Sequence, residues 1–284
     1  MRKAPRRPRL WRLNGARHEW LPTDAVPGPR RALPRPIGEI RRKADDRRLA
    51  WFGLRDGARG GAWRIQPLPR ADAATRTAMR DLRQLLRRLG PRGSGAVSPG
   101  NARTHAARGG RMPRLSALPL PRDYTSRTGL PRHAEPALLV DAGRDAFGRR
   151  AWLQPAAARD WRRMRAAAAA DGVTLQLVSA FRHAAYQTRL FERKLARGAT
   201  IEQILGVNAA PGYSEHHSGR AIDVTTPGCA PAEEAFEDTD AFAWLQRNAA
   251  RHGFRLSYPR GNPHGVVYEP WHWYHVGVDG TPRA

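Results

Sequence analysis

The chain has 284 residues, with 50 Lys and Arg against 25 Asp and Glu and a single cysteine, Cys229. That length suits one sizeable domain with an extension, or two small domains. One cysteine excludes an internal disulfide and any cysteine-rich zinc module, so a metal here must rest on His and carboxylate; no apolar run approaches the roughly 18–20 residues needed to span a bilayer. The net charge of +25 is uneven: residues 1–120 hold 29 Lys and Arg against 8 Asp and Glu, whereas residues 121–284 hold 21 against 17.

Residues 1–113 are rich in Arg, Pro and Gly, and stretches such as "RKAPRRPRL" and "GPRGSGAVSPG" break any periodicity before it builds. Such composition predicts a largely disordered extension. Two exceptions stand out: Leu49–Ile65 can pair as a hairpin, and Thr75–Gly90 has helical spacing with Leu82, Leu85, Leu86 and Leu89 on one side. The basic segment lacks the interleaved aromatics of a nucleic-acid-binding signature, so a solvated tail is expected, with no specific nucleic-acid partner. Met1–Leu13 is positively charged but no apolar stretch follows, so the chain as written carries no export signal. A start codon placed too far upstream is a further reading of this region.

From residue 114 to about 280 the composition becomes that of a folded domain. Ala137–Gly143 reads as a strand, and Pro155–Gly172 as an Ala-rich helix with Trp161 and Met164 on one face. Val173–Phe181 alternates as a half-buried strand and delivers Arg182 at its end. Ala184–Gly198 is a second helix with Tyr186, Leu190, Phe191 and Leu195 as its apolar stripe. A short third helix starts at Thr200, where Thr-x-x-Gln forms a capping box. After the turn Pro211–Tyr213 and the motif described next, Asp238–Phe254 reads as a helix with Gly253 as its stop, and Gly265–Val278 as one or two strands. Helices and strands without regular βαβ repetition predict an α+β fold with a small, mainly antiparallel sheet flanked by helices.

Two segments carry chemistry. Ser214-Glu215-His216-His217-Ser218-Gly219-Arg220-Ala221-Ile222-Asp223 and Glu269-Pro270-Trp271-His272 together supply two imidazoles and a carboxylate, His216, His272 and Asp223. That is the donor set of an open catalytic zinc site. The seven-residue spacing from His216 to Asp223 suits a loop running into a strand, with Gly219 allowing a tight approach and Ile222 facing the core opposite Asp223. His217 is a rival ligand, yet adjacent residues point apart, so one of the pair should reach the metal. Glu269 is a non-ligand carboxylate placed to act as general base. Strict alternation would set Glu269 and Trp271 on one face and His272 on the other unless the backbone bends at Pro270.

The pattern Ser-x-His-x-x-Gly-x-Ala-x-Asp, then Glu-x-Trp-His, preceded by "SAFRHAAYQ", resembles the VanY-type D-alanyl-D-alanine carboxypeptidases over about residues 115–278. The resemblance implies a LAS-type zinc peptidase fold, one Zn²⁺ on His216, Asp223 and His272, and Glu269 as catalytic base. It places Arg182, Gln187 and Ser214 at the substrate, Arg182 also as a catalytic cation, and Trp271 is counted with them. Tyr274 and His275 stand where the family often carries Arg then Tyr. The implied activity is removal of the terminal D-Ala from peptidoglycan stem peptides by a monomeric enzyme in the periplasm or cell envelope. The alternatives are a D,D-dipeptidase, a peptidoglycan endopeptidase, or a non-catalytic wall- or polyanion-binding protein.

Overall fold

The computed structural model describes residues 118–277 continuously and, before them, 11–14, 18–22, 37–45, 48–54, 63–67 and a few positions between 73 and 84. The chain divides into two compact units, one of residues 1–97 with 138–141, the other of residues 98–137 with 142–284.

In the first unit, β1 (Trp11–Asn14), β2 (His18–Pro22), β3 (Ile37–Arg42), β4 (Arg48–Leu54) and β5 (Trp63–Pro67) pair antiparallel in sequence order, and β1 also pairs with Leu138–Val140 of β6 (Leu138–Arg144). Where the first 113 residues are described they include these paired strands, which the composition did not lead one to expect. Trp20, Ile40 and Leu49 are buried here, and the charges pair within the sheet, Arg12 with Glu19, and Arg41 and Arg48 with Glu39. Apolar burial plus paired charge offsets the repulsion that composition alone suggests. The hairpin expected over Leu49–Ile65 is formed by β4 and β5. Residues 76–81 are helical, while the leucine stripe expected beyond them lies outside the described residues.

The second unit is α+β, as the sequence predicts. Its four-stranded antiparallel sheet has the order β10-β11-β9-β8, with β8 (Gln176–Ser179), β9 (Ala221–Thr225), β10 (Phe254–Leu256) and β11 (His272–His275). Helix α1 (Tyr124–Thr128) is followed by β7 (Arg150–Leu153) and α2 (Pro155–Ala170). Pro155 occupies the first turn of α2, where a missing N–H costs nothing, and Trp161 and Met164 are fully buried on one face. Helix α3 (Ala184–Ala196) buries Phe191. Tyr186, assigned to the same stripe from sequence, is instead 38% exposed, with the guanidinium groups of Arg189 and Arg193 over its ring. Helix α4 (Ile201–Val207) begins with the expected capping box of Thr200 and Gln203, and α5 (Asp240–Asn248) buries Phe242 and Leu245.

Phe191, Ile204, Leu205, Tyr124, Tyr213, Tyr258 and Val266 form one apolar cluster beside the sheet. The expected strand over Gly265–Val278 shortens to β11, because Pro270 and Trp271 sit in a turn. That turn decides the position of Glu269.

Candidate metal centre and active site

A 3₁₀ turn, Glu215–Ser218, carries His216 and is closed by Gly219, whose φ of 68° lies in the left-handed region open to glycine. The chain then enters β9, where Ile222 is fully buried and Asp223 is at the register position opposite His272 on β11. Facing residues in antiparallel strands hold their Cβ atoms about 4.5–5.5 Å apart. Two residues distant in sequence thus become neighbours through sheet pairing. The turn is held from outside by Gln154, whose backbone N–H donates to Gly219 O at 2.8 Å and whose side-chain amide donates to Ser218 O at 2.8 Å.

Among the described residues, potential ligand atoms of His216, Asp223 and His272 all lie within 4.8 Å of one another, and all three residues are buried. Asp223 bridges the imidazoles: Oδ1 is 3.0 Å from His272 Nδ1, and Oδ2 is 3.2 Å from His216 Nε2. His216 donates from Nδ1 to the Ala180 carbonyl at 2.7 Å, leaving Nε2 buried without a well-aligned hydrogen-bond partner. A buried, lone-pair-bearing nitrogen beside a carboxylate and a second imidazole is the donor chemistry zinc takes, so the residues fit that ion. His217 turns away and donates from Nδ1 to Arg182 O at 2.6 Å.

Glu269 reaches the cluster because the chain bends. The His272 N–H donates to Glu269 O at 3.1 Å across the Pro270-Trp271 turn, and the Glu269 N–H donates to Tyr258 O at 3.0 Å. Its Oε2 then lies 3.6 Å from His272 Nδ1. Alternation would have sent the two side chains apart; the bend at Pro270 brings them together.

Electrostatics separates the carboxylates. Burial, reinforced by Asp223 and partly offset by His272, pushes Glu269 up to about 7. Burial also opposes charge on Asp223, but the two imidazoles outweigh it and hold the carboxyl well below its usual range. His216 is pushed down to about 4 by burial and by the Arg182 cation, so its imidazole is neutral. For His272, hydrogen bonds to Asp223 and Glu215 overcome burial and raise it to about 10 in the metal-free protein. A cation bound at this imidazole would take the place of a proton.

The remaining sequence candidates are placed as follows. Arg182 follows β8, its N–H donates to His216 O at 3.3 Å, and its charge acts on both His216 and Glu269. Gln187 is buried on α3 and its amide donates to Ala209 O at 3.0 Å, a link that holds the chain after α4, while Oε1 has no hydrogen-bond partner among the described residues. Ser214 is buried at the start of the 3₁₀ turn, where its carbonyl accepts from His217 N at 3.0 Å. Trp271 is half-buried, and its carbonyl accepts from Val224 N at 3.0 Å. Sequence reasoning missed Glu215, whose Oε2 is 2.9 Å from His272 Nε2. Its one signal was a carboxylate placed directly before a candidate ligand.

A small antiparallel sheet and the 3₁₀ turn leading into it bring together two imidazoles and a carboxylate, with a second carboxylate just outside them, the arrangement of an α+β hydrolase domain with a candidate metal site. Residues 150–278 match the family VanY, D-alanyl-D-alanine carboxypeptidase. The bifunctional D-Ala-D-Ala dipeptidase and D-Ala-D-Ala carboxypeptidase VanXYC of Enterococcus gallinarum is 34% identical over 137 residues, which cover 45% of this chain and 68% of that protein. A D-alanyl-D-alanine carboxypeptidase of Enterococcus faecalis is 32% identical over 127 residues, 41% of this chain and 46% of the relative, so the match spans about half of that protein's length. Among solved structures, the LdcB LD-carboxypeptidase aligns at 30% identity with a TM-score of 0.45, over 48% of this chain and 65% of that one. The chain belongs to the VanY family.

Proposed function

We propose that this protein is a zinc-dependent D-alanyl-D-alanine carboxypeptidase that removes the C-terminal D-Ala of peptidoglycan stem peptides. The observation that carries the reading is the convergence of His216, Asp223 and His272 with Glu269 beside them and outside the donor set. His216, Asp223 and His272 would hold one Zn²⁺, which would supply Lewis-acid chemistry toward the scissile carbonyl and the attacking water. Glu269, raised by burial toward neutrality, takes a proton from the attacking water and returns it to the departing amine of D-Ala. Arg182 supplies a fixed cation for the free terminal carboxylate or for the developing oxyanion. Ser214, Gln187 and Trp271 complete the substrate side, Gln187 through the Oε1 that has no partner among the described residues.

The peptidase domain is residues 114–280, with residues 1–113 an accessory region, and the enzyme acts as a monomer in the cell envelope, where its substrate is. Among the described residues no helix is long and apolar enough to cross a membrane.

The test is hydrolysis of a synthetic acyl-D-Ala-D-Ala peptide by protein of measured zinc content. Release of single D-Ala, lost with a chelator and restored by zinc, is expected. Glu269→Gln should lower kcat by about 10²–10⁴-fold, the usual range for a general base, while zinc content holds. Parent-like turnover by that variant overturns the role of Glu269. Hydrolysis of free D-Ala-D-Ala with the acyl peptide left intact would instead identify a D,D-dipeptidase, one of the two activities named for the Enterococcus gallinarum relative.

A further inference from the structure

Both candidate imidazole ligands are gripped at the nitrogen that faces away from the cluster. His216 uses the Ala180 carbonyl, a backbone group that every sequence possesses; His272 uses a side chain, Glu215, at 2.9 Å from Nε2. The two partners therefore differ in kind, and the second is open to mutation. We propose that Glu215 is the positioning residue of the metal centre, accepting the Nε2 proton of His272 so that Nδ1 is the nitrogen left to bind the ion. The assignment rests on the reading of His216, Asp223 and His272 as ligands.

A neutral imidazole carries its proton on one nitrogen, and the acceptor it meets selects which. His272 meets carboxylates on both sides, with Asp223 Oδ1 3.0 Å from Nδ1 and Glu215 Oε2 2.9 Å from Nε2. Without Glu215 the carboxylates left beside the ring, Asp223 at 3.0 Å and Glu269 at 3.6 Å, both face Nδ1, and a proton drawn there occupies the lone-pair position required for the metal. With Glu215 present the proton has a place on the far side. Partners of this kind, which orient the ring and raise its basicity, typically contribute 10–100-fold to metal affinity.

Glu215 is itself fixed. It lies in the 3₁₀ turn directly before His216 and is 7% exposed, so turn and ring move together. Its other oxygen, Oε1, is 3.6 Å from Arg255 Nη2 on β10, the strand paired with β11. The guanidinium groups of Arg255 and Arg220 lie over the ring of Tyr274, 5.7 and 5.2 Å from its centroid. Arg255 balances the buried carboxylate, which would otherwise be costly. A purely structural Glu215–Arg255 pair is the competing account, and it predicts a change in stability with no change in metal affinity.

Zinc affinity of the full-length parent, Glu215→Ala and Glu215→Gln, measured by competition with a chromogenic chelator at one pH, separates the two. Glu215→Ala is expected to bind zinc about 10–100-fold more weakly, with an apo-protein circular dichroism spectrum like the parent's. Glu215→Gln, which keeps an acceptor oxygen, should recover part of the loss, and the Co²⁺-substituted absorption spectrum should shift in the Ala variant. Parent-like affinity in both variants overturns the proposal; if the Ala variant does not fold, parent-like affinity in the Gln variant does so alone. Because the readout is metal affinity, a parent that binds zinc yet releases no D-Ala overturns the proposed activity and leaves this assignment standing. A parent that binds no zinc overturns the ligand reading on which both rest.

Discussion

His275 shows how a buried imidazole can be accommodated by its neighbours. Its Nε2–H donates to Asp160 Oδ2 at 3.1 Å, with both residues buried, and Arg159 donates to both Asp160 oxygens at 2.9 Å. Burial opposes charge on Asp160, but these hydrogen bonds outweigh it and hold the carboxyl below its usual value. Burial lowers His275, partly offset by Asp160 and helped by the Arg220 and Arg159 cations. The folded protein therefore takes up this proton less readily than the unfolded chain. Stability from His275 is complete above the unfolded value of about 6.5 and declines as pH falls from there toward the lower folded value. Replacing His275 by Ala deprives a buried carboxylate of a donor and should cost about 1–3 kcal/mol. Thermal denaturation from pH 8 to 5 should show a lower Tm and a shallower acid slope in the variant. An unchanged slope would mean that His275 does not titrate differently on folding.

Elements meet with little tolerance where β10 begins. Gly253 closes the 3₁₀ turn Ala249–His252 at φ 76°, and a Cβ added there would lie 2.8 Å from the carbonyl carbon of Gly277. The Gly253 carbonyl also accepts from Val276 N at 2.8 Å, tying the end of β11 to the start of β10. Gly253 as a helix stop is legible in sequence; its contact with a glycine that follows β11 is not, since it arises from strand pairing. Gly253→Ala should cost at least about 1–2 kcal/mol for the left-handed backbone, plus the displacement of Gly277. Because β11 bears His272, the same substitution should also weaken zinc binding. A lowered Tm with unaltered zinc affinity would show that the strain stops short of the site.

For the molecule as a whole, a candidate ligand set made of three residues separated in sequence would link metal binding to folding. Zinc that binds the native unit and not the unfolded chain stabilises it by about 2.7 kcal/mol at a free concentration 100 times its Kd. Calorimetry should show the transition of the unit that holds the site moving up with zinc and back with chelator. A transition indifferent to both would exclude a folded-state metal centre. Among the described residues, the three that could hold a metal, His216, Asp223 and His272, all belong to the second unit.

The sequence by itself determined the donor types, the left-handed turn at Gly219, the capping box at Thr200 and the amphipathic faces of α2 and α5, because each depends on residues within one or two turns of each other. It also marked Glu269 as a carboxylate apart from the three candidate ligands. Tertiary structure decided what depends on distant partners. The β9–β11 register set Asp223 opposite His272, the Pro270-Trp271 turn brought Glu269 to the same side, and packing placed Glu215 against His272. The strands among residues 11–67 belong with these, since composition records the repulsion of their arginines but not the cross-strand carboxylates that pair with them. Local periodicity reports which face of an element is apolar; it does not report which other element will meet that face.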